Sequence, residues 1–174
     1  AEDNLKKSGK MSGADALRLY GNWAYLATEL RQHQRALDLV NKAEQIILNN
    51  PKLDQVNYSV NAANKARVLL YAGDVDQALA YNQKAFNIDL AREDSSAMSL
   101  HQALFGVIYK RRGQYERAKE IFQKAFDQSP EPAPGAISFD RSANAENLGD
   151  VAVLEKDWEQ ALQQYQLAIS YLLP

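Results

Sequence analysis

The sequence predicts an all-α fold, a right-handed superhelical solenoid of about four helix-turn-helix hairpins and eight helices. Three observations carry this: an alanine pattern that recurs four times, apolar stretches of helical period separated by short turns, and chain breakers gathered between units rather than inside them. The pattern reads QRALDLVNKA from Gln34 to Ala43, QALAYNQKA from Gln77 to Ala85, RAKEIFQKA from Arg117 to Ala125 and QALQQYQLA from Gln160 to Ala168. The first alanines, Ala36, Ala78, Ala118 and Ala161, lie 42, 40 and 43 residues apart, the length of a supersecondary unit. Each is followed seven residues later by a second (Ala43, Ala85, Ala125, Ala168), two helical turns on and on the same face, where small side chains let helices approach.

The helices follow in order. Twelve residues before each marker stands another small residue, Ala24, Ala66, Gly106 and Gly149, preceded in three cases by Trp23, Phe105 or Leu148, so each unit opens with a helix of its own. Gly73 and Gly113 end the second and third opening helices in a form that favours a left-handed turn; the fourth copy reads KDWEQA, with Trp158 in the apolar place after the turn. Pro51 and the run SPEPAPGAIS separate units. The predicted helices cover residues 12–30, 33–49, 54–72, 75–91, 94–112, 115–128, 139–155 and 158–172. They pair into repeats 12–50, 54–91, 94–130 and 139–173 of one domain, with a flexible segment over 1–11 and a projecting Pro-rich loop at 130–137, the expected proteolytic nick. Trp23, Phe105, Tyr109, Tyr115, Phe122, Trp158 and Tyr165 fall at packing positions, and Trp158→Ala is expected to cost about 3 to 5 kcal/mol as a core cavity.

Composition narrows the function. The 174 residues carry 20 Lys and Arg against 22 Asp and Glu, net −2, with a pI near 5.7, which disfavours phosphate backbones and anionic lipid. Apolar residues make up 46% without any run near the roughly 18 needed to cross a bilayer, so a folded, soluble protein is expected. The absence of cysteine removes thiolate chemistry and leaves cytoplasmic and extracytoplasmic locations equally open. A start at Ala1 reads as a mature form after signal cleavage or an excised domain, and a stop at Pro174 after LAISYLL reads as an excised piece.

The third unit, QALFGVIYKRRGQYERAKEIFQKAFDQSP, resembles the tetratricopeptide repeat family, with Gly106, Tyr109, Gly113, Tyr115, Ala118, Phe122, Ala125 and Pro130 in its signature places. The fourth matches through Leu148, Gly149, Trp158, Ala161, Tyr165 and Ala168; the first two are looser, and Lys65 stands where the family has a large apolar residue. The resemblance spans residues 17 to 174, and repeats of 40 to 43 residues, against about 34 in the standard form, are similar to the long variants of kinesin light chain and of peptide-sensing regulators.

In such a solenoid the first helix of each hairpin lines a concave face. Two residues before each small marker stand Asn22, Asn64, Leu104 and Asn147. An amide accepts from a peptide N–H and donates to its C=O at once, and the resemblance lends Asn22, Asn64 and Asn147 the role of holding an extended peptide; the alternative is a tolerated polar residue or a local cap. Around them lie Arg18, Tyr25 and Glu29, then Arg67 and Tyr71, then Lys110 and Arg111, then Glu146 and Asp150, a groove with a basic middle and an acidic C-terminal end. The run Lys110 to Arg112 also reads as a solvated helix end. The family's clamp for a C-terminal carboxylate is only partly echoed, since Gly21 and Tyr25 stand where Lys and Asn belong.

Catalysis finds no motif: no phosphate loop, nucleophile elbow or metalloprotease signature is present. His33 and His101 are 68 residues apart without ligand spacing, and His101, near Ser96 and Ser99, reads as a polar helix surface. Asn57-Tyr58-Ser59 matches the glycosylation pattern, a short match that arises by chance. The expected function is a non-enzymatic scaffold or adaptor that binds a protein or peptide and needs no cofactor or metal. The alternatives are a sensory input domain of a larger signalling protein, and self-association through the apolar segment Ala168 to Leu173.

Overall fold

A computed structural model of the protein describes residues 13–51 and 53–173; the segment 1–11 lies outside them. Among the described residues there are eight α-helices and no strand: α1 Gly13–Glu29, α2 His33–Leu48, α3 Gln55–Ala72, α4 Val75–Ala91, α5 Ser95–Arg111, α6 Tyr115–Gln128, α7 Phe139–Glu155 and α8 Trp158–Ser170. Every boundary falls within two residues of the predicted one. The chain forms two compact units, one ending at His101 and the other beginning at Gln102.

Inside each hairpin the turn is made the same way. Five residues before the alanine marker the backbone is left-handed, at Arg31 (φ 55°), Gly73 (91°), Gly113 (72°) and Lys156 (65°). Glycine takes this form freely, whereas Arg31 and Lys156 hold it against a steric cost of about 1 kcal/mol. At Gly73 the next two amides return to the helix end, Gly73 N–H to Leu70 O and Asp74 N–H to Leu69 O, and the Asp74 carboxylate then accepts from Gln77 N–H to start α4. Asp157 repeats that cap on Gln160.

In the first unit Ala24, Ala36, Ala66 and Ala78 are fully buried, and α1 packs on both α2 and α3. Leu17, Tyr20, Leu39, Val40, Ile47 and Val68 cluster with Ala24 and Ala36, and Trp23 meets Tyr20 edge-on at 6.3 Å. In the second unit Phe122, fully buried, packs with Ala118, Leu148 and Val151 against Val107, Tyr109 and Tyr115. The markers Gly106 and Gly149 are glycine because α6 and α8 press on them: a Cβ would lie 2.5 Å from the Phe122 ring and 2.8 Å from the Tyr165 ring.

Trp158 is not in the core; it is 64% exposed. Its counterpart Tyr115 is covered because it packs on the cluster that includes Leu148 and Val151 of the next hairpin, and no described helix follows α8 to do the same. Leu162, Ile169, Leu172 and Leu173 are exposed with it. The Pro-rich stretch is mostly exposed but tied at its base, where the Arg141 guanidinium donates to Ser129 O and pairs with Glu131 at 2.6 Å, and Ser138 N–H donates to Tyr171 O.

Candidate functional site

In the first unit a cleft of about 170 Å³ opens between the first helices of the first two hairpins. Helical spacing builds it. On α1, Ala14, Leu17, Arg18, Gly21 and Asn22 turn toward it, while Ala16, Tyr20, Ala24 and Ala27 are buried. On α3, Asn57, Val60, Asn61 and Asn64 form one stripe at intervals of three and four residues, while Ala62, Ala66 and Leu69 are buried. Gly21 makes room for an amide: a Cβ there would lie 2.9 Å from Asn64 Nδ2. Among the described residues Arg18 pairs with Asp15, at 3.4 Å across one exposed turn. The Asn57 amide donates to its own helix cap, Asp54, at 2.9 Å. Among the described residues Asn22, Asn61 and Asn64 have no side-chain hydrogen bond, although Asn61 is only 8% exposed.

The cleft thus unites Arg18, Asn22 and Asn64 of the sequence-predicted residues. Asn57 and Asn61 were not among those candidates; the signal was the run of asparagines at 57, 61 and 64, which puts three amides on one helical face. Tyr25, Arg67 and Tyr71 are exposed but do not line the cleft, and Arg111 is exposed at the end of α5.

The predicted residues of the second unit form a cluster of their own. Lys110 Nζ donates to Asn147 Oδ1 at 3.0 Å and to Asp150 Oδ2 at 2.7 Å, over the Phe122 ring. Asn147 spends its amide hydrogen on Ala143 O one turn back, and Tyr165 Oη donates to Asp150 Oδ1 at 2.8 Å. Burial, with the Asp150 carboxylate beside it, pushes the Tyr165 phenol up to about 12. The acid foreseen in the fourth repeat is therefore offset by Lys110.

Two further polar groups are interior. His101, read from sequence as a surface residue, is buried: its Nε2 lies 2.9 Å from Asp89 Oδ2, and its carbonyl accepts from Asn82 Nδ2 at 2.9 Å. Its partners come from α4 and not from the neighbouring Ser96 and Ser99, because the inward face of α5 is set by packing. Asp89 also accepts from Ser59 Oγ and from Arg92 Nη1. Burial opposes its charge, but the hydrogen bonds from Ser59 and His101, with the charges of His101 and Arg92, outweigh it and hold the carboxyl below its usual range. Ser59, the third residue of the glycosylation-like triplet, is thereby buried inside a helix. Lys65 is buried likewise, bonded to Glu44 at 2.6 Å with its ammonium 4.5 Å from the Tyr81 ring centre. Desolvation works against the Lys65 charge, and Glu44 and Tyr81 more than offset it, so its pKa is raised. Among the described residues no group of three or more His, Asp or Glu is placed to hold a metal ion, and no helix is long and apolar enough to cross a membrane.

Residues 95–172 match the model of the tetratricopeptide repeat family. A search of curated proteins finds no match to the chain. Among solved structures the chain is similar to NprR in complex with its cognate peptide NprX, with a TM-score of 0.74 and 19% identity over 99% of this chain and 49% of that one. The apo form of the quorum sensor NprR from B. thuringiensis gives 0.72 at the same identity. BtubC (BKLC) from P. vanneervenii gives 0.70 at 19% identity over 93% of this chain and 65% of that one. A kinesin light chain of Podosopora anserina, with nearly identical TPR-like repeats, gives 0.66 at 15% identity over 97% and 81%. The chain therefore spans about half the length of NprR and just under two thirds of BtubC. At these identities the likeness is one of fold, and it joins the hairpin geometry to the family match. Residues 95–172 match the tetratricopeptide repeat family, and residues 13–91 form the same helical hairpin twice more.

Proposed function

We propose that the protein is a non-enzymatic interaction module that takes a peptide, or an extended segment of a partner protein, along the first helices of its hairpins, and that the cleft between α1 and α3 is where the segment is held. The observation that carries this is the set of unspent amides there: among the described residues, Asn22, Asn61 and Asn64 face one space without a side-chain hydrogen bond. An amide that both donates and accepts matches a peptide main chain, so a ligand's N–H and C=O groups can take up hydrogen bonds that these side chains leave unspent. The similar fold of NprR, solved with a cognate peptide, supports the reading. Lys110, Asn147 and Asp150 already satisfy one another, so the proposal rests on Arg18, Asn22 and Asn64.

The test is retention of a random synthetic heptapeptide library on the immobilised chain, beside a double variant, Asn22→Ala with Asn64→Ala, whose helix content is first matched by circular dichroism. Wild type should retain peptide at least tenfold above the variant. Equal retention on both would move binding off this cleft. A second reading, favoured by the likeness to a quorum sensor, is that the bound peptide is a signal; it requires peptide to change amide hydrogen exchange in α4 or α5, away from the cleft.

A further inference from the structure

The chemistry of the cleft goes beyond a main-chain clamp. Among the described residues its lining holds one cation, Arg18, four carboxamides and no carboxylate; the rest is apolar, with Leu17 and Val60 as walls. A lysine or arginine side chain entering it would face Arg18, and the carboxylates beside the lining, Asp15 and Asp54, are already engaged by Arg18 and Asn57. An aliphatic side chain would cover Asn61, nine-tenths buried and without a hydrogen bond, and leave its amide unpaired. A volume of about 170 Å³ is well below the roughly 300 Å³ at which small-molecule sites begin, and it matches one medium side chain with its stretch of main chain.

An acidic side chain answers each of these features. Its carboxylate accepts from the amide hydrogens of Asn61 and Asn64 and from the Arg18 guanidinium, while its methylene stem lies on Leu17 and Val60. Arg18 is poised for exchange, because its side chain is 78% exposed and its Asp15 contact is long and within one turn, a kind of pair that contributes little. Gly21 contributes by leaving the space in which the Asn64 amide lies. Resting on the peptide-binding reading of the same cleft, we infer that the space between α1 and α3 is a specificity pocket for one acidic side chain, aspartate or glutamate, of the peptide that the protein binds.

The experiment uses three heptapeptide sub-libraries, degenerate except for a central Glu, Gln or Lys, at low salt on the immobilised chain. Wild type should retain the Glu library about tenfold over the Gln library and more over the Lys library, with the gap narrowing as salt is raised. Asn61→Leu should erase the preference for Glu over Gln. Arg18→Glu, a change at an exposed position that leaves the fold intact, should invert the order of Glu and Lys. Equal retention of the three libraries, all above the Asn22→Ala, Asn64→Ala double variant, would overturn the acidic pocket and leave the peptide-binding reading standing. Retention of none above that variant would overturn both.

Discussion

Phe122 occupies the space that Gly106 leaves: its Cε1 lies 2.5 Å from where a Cβ on residue 106 would stand. Phe122 is fully buried, so the ring has nowhere to retreat. Gly106→Ala should therefore destabilise by about 1 to 3 kcal/mol through overpacking, although alanine is the better helix former by about 1 kcal/mol. Urea denaturation measures this, and an unchanged midpoint would mean that α5 and α6 can part without cost.

Asp89 joins three helices through Ser59, Arg92 and His101. Asp89→Asn should cost about 3 kcal/mol near neutral pH, since it breaks a buried charge network. The pH dependence has a definite sign: a carboxyl held below its ordinary pKa adds stability above that pKa, and the contribution is lost as pH falls through the lowered folded value. The gap between wild type and variant should therefore shrink on acidification below about pH 4. A gap that stays constant from pH 7 to 3 would contradict the ionised hub.

Arg31 and Lys156 stand in left-handed turns where the other two hairpins have glycine. Arg31→Gly and Lys156→Gly should each stabilise by about 0.5 to 1 kcal/mol, the relief of strain exceeding the added freedom of the unfolded chain. Thermal melts of the single and double variants test this, and additivity is expected because the sites are remote in sequence and in different units.

Tyr165 should ionise well above the ordinary tyrosine range. Its pKa, pushed up to about 12, means that its contribution to stability is whole below pH 10 and is lost between about pH 10 and 12. Ultraviolet titration of wild type against Tyr165→Phe isolates the group, and Asp150→Asn should bring it back toward the ordinary range.

Trp158→Ala should change stability by less than about 1 kcal/mol, far below the core value that its place in the repeat predicts, because the indole is 64% exposed. A loss of several kcal/mol in the isolated chain would contradict that exposure.

These cases separate what a single sequence carries from what it does not. Helix bounds and the small interior residues were legible because the alanines at 36, 78, 118 and 161 repeat locally, and every one of them is buried. Arg18 and Asn22 were legible as one face of α1 because helical spacing fixes direction, and Asn64 because it holds the same place in the next repeat. The burial of His101 was not, since Asp89 lies across a turn and Ser59 a whole hairpin earlier. The exposure of Trp158 was hidden for a different reason: whether that position is covered depends on the helix that packs next, which no property of residue 158 encodes. The left-handed turns at Arg31 and Lys156 carry no glycine to announce them.

The polar pairs between successive hairpins stand at different places in each joint. Glu44 meets Lys65 between the first and second, Asp89 meets His101 between the second and third, and Lys110 meets Asp150, with Lys119 beside Glu155, between the third and fourth. The alanines that shape every hairpin alike would allow the units to be shuffled as interchangeable bricks. The pairs oppose it: a chain with its second and third hairpins exchanged would bury Lys65 without Glu44 and Asp89 without His101. The order of the repeats, and not only their number, is written into the protein by a set of unlike locks and keys.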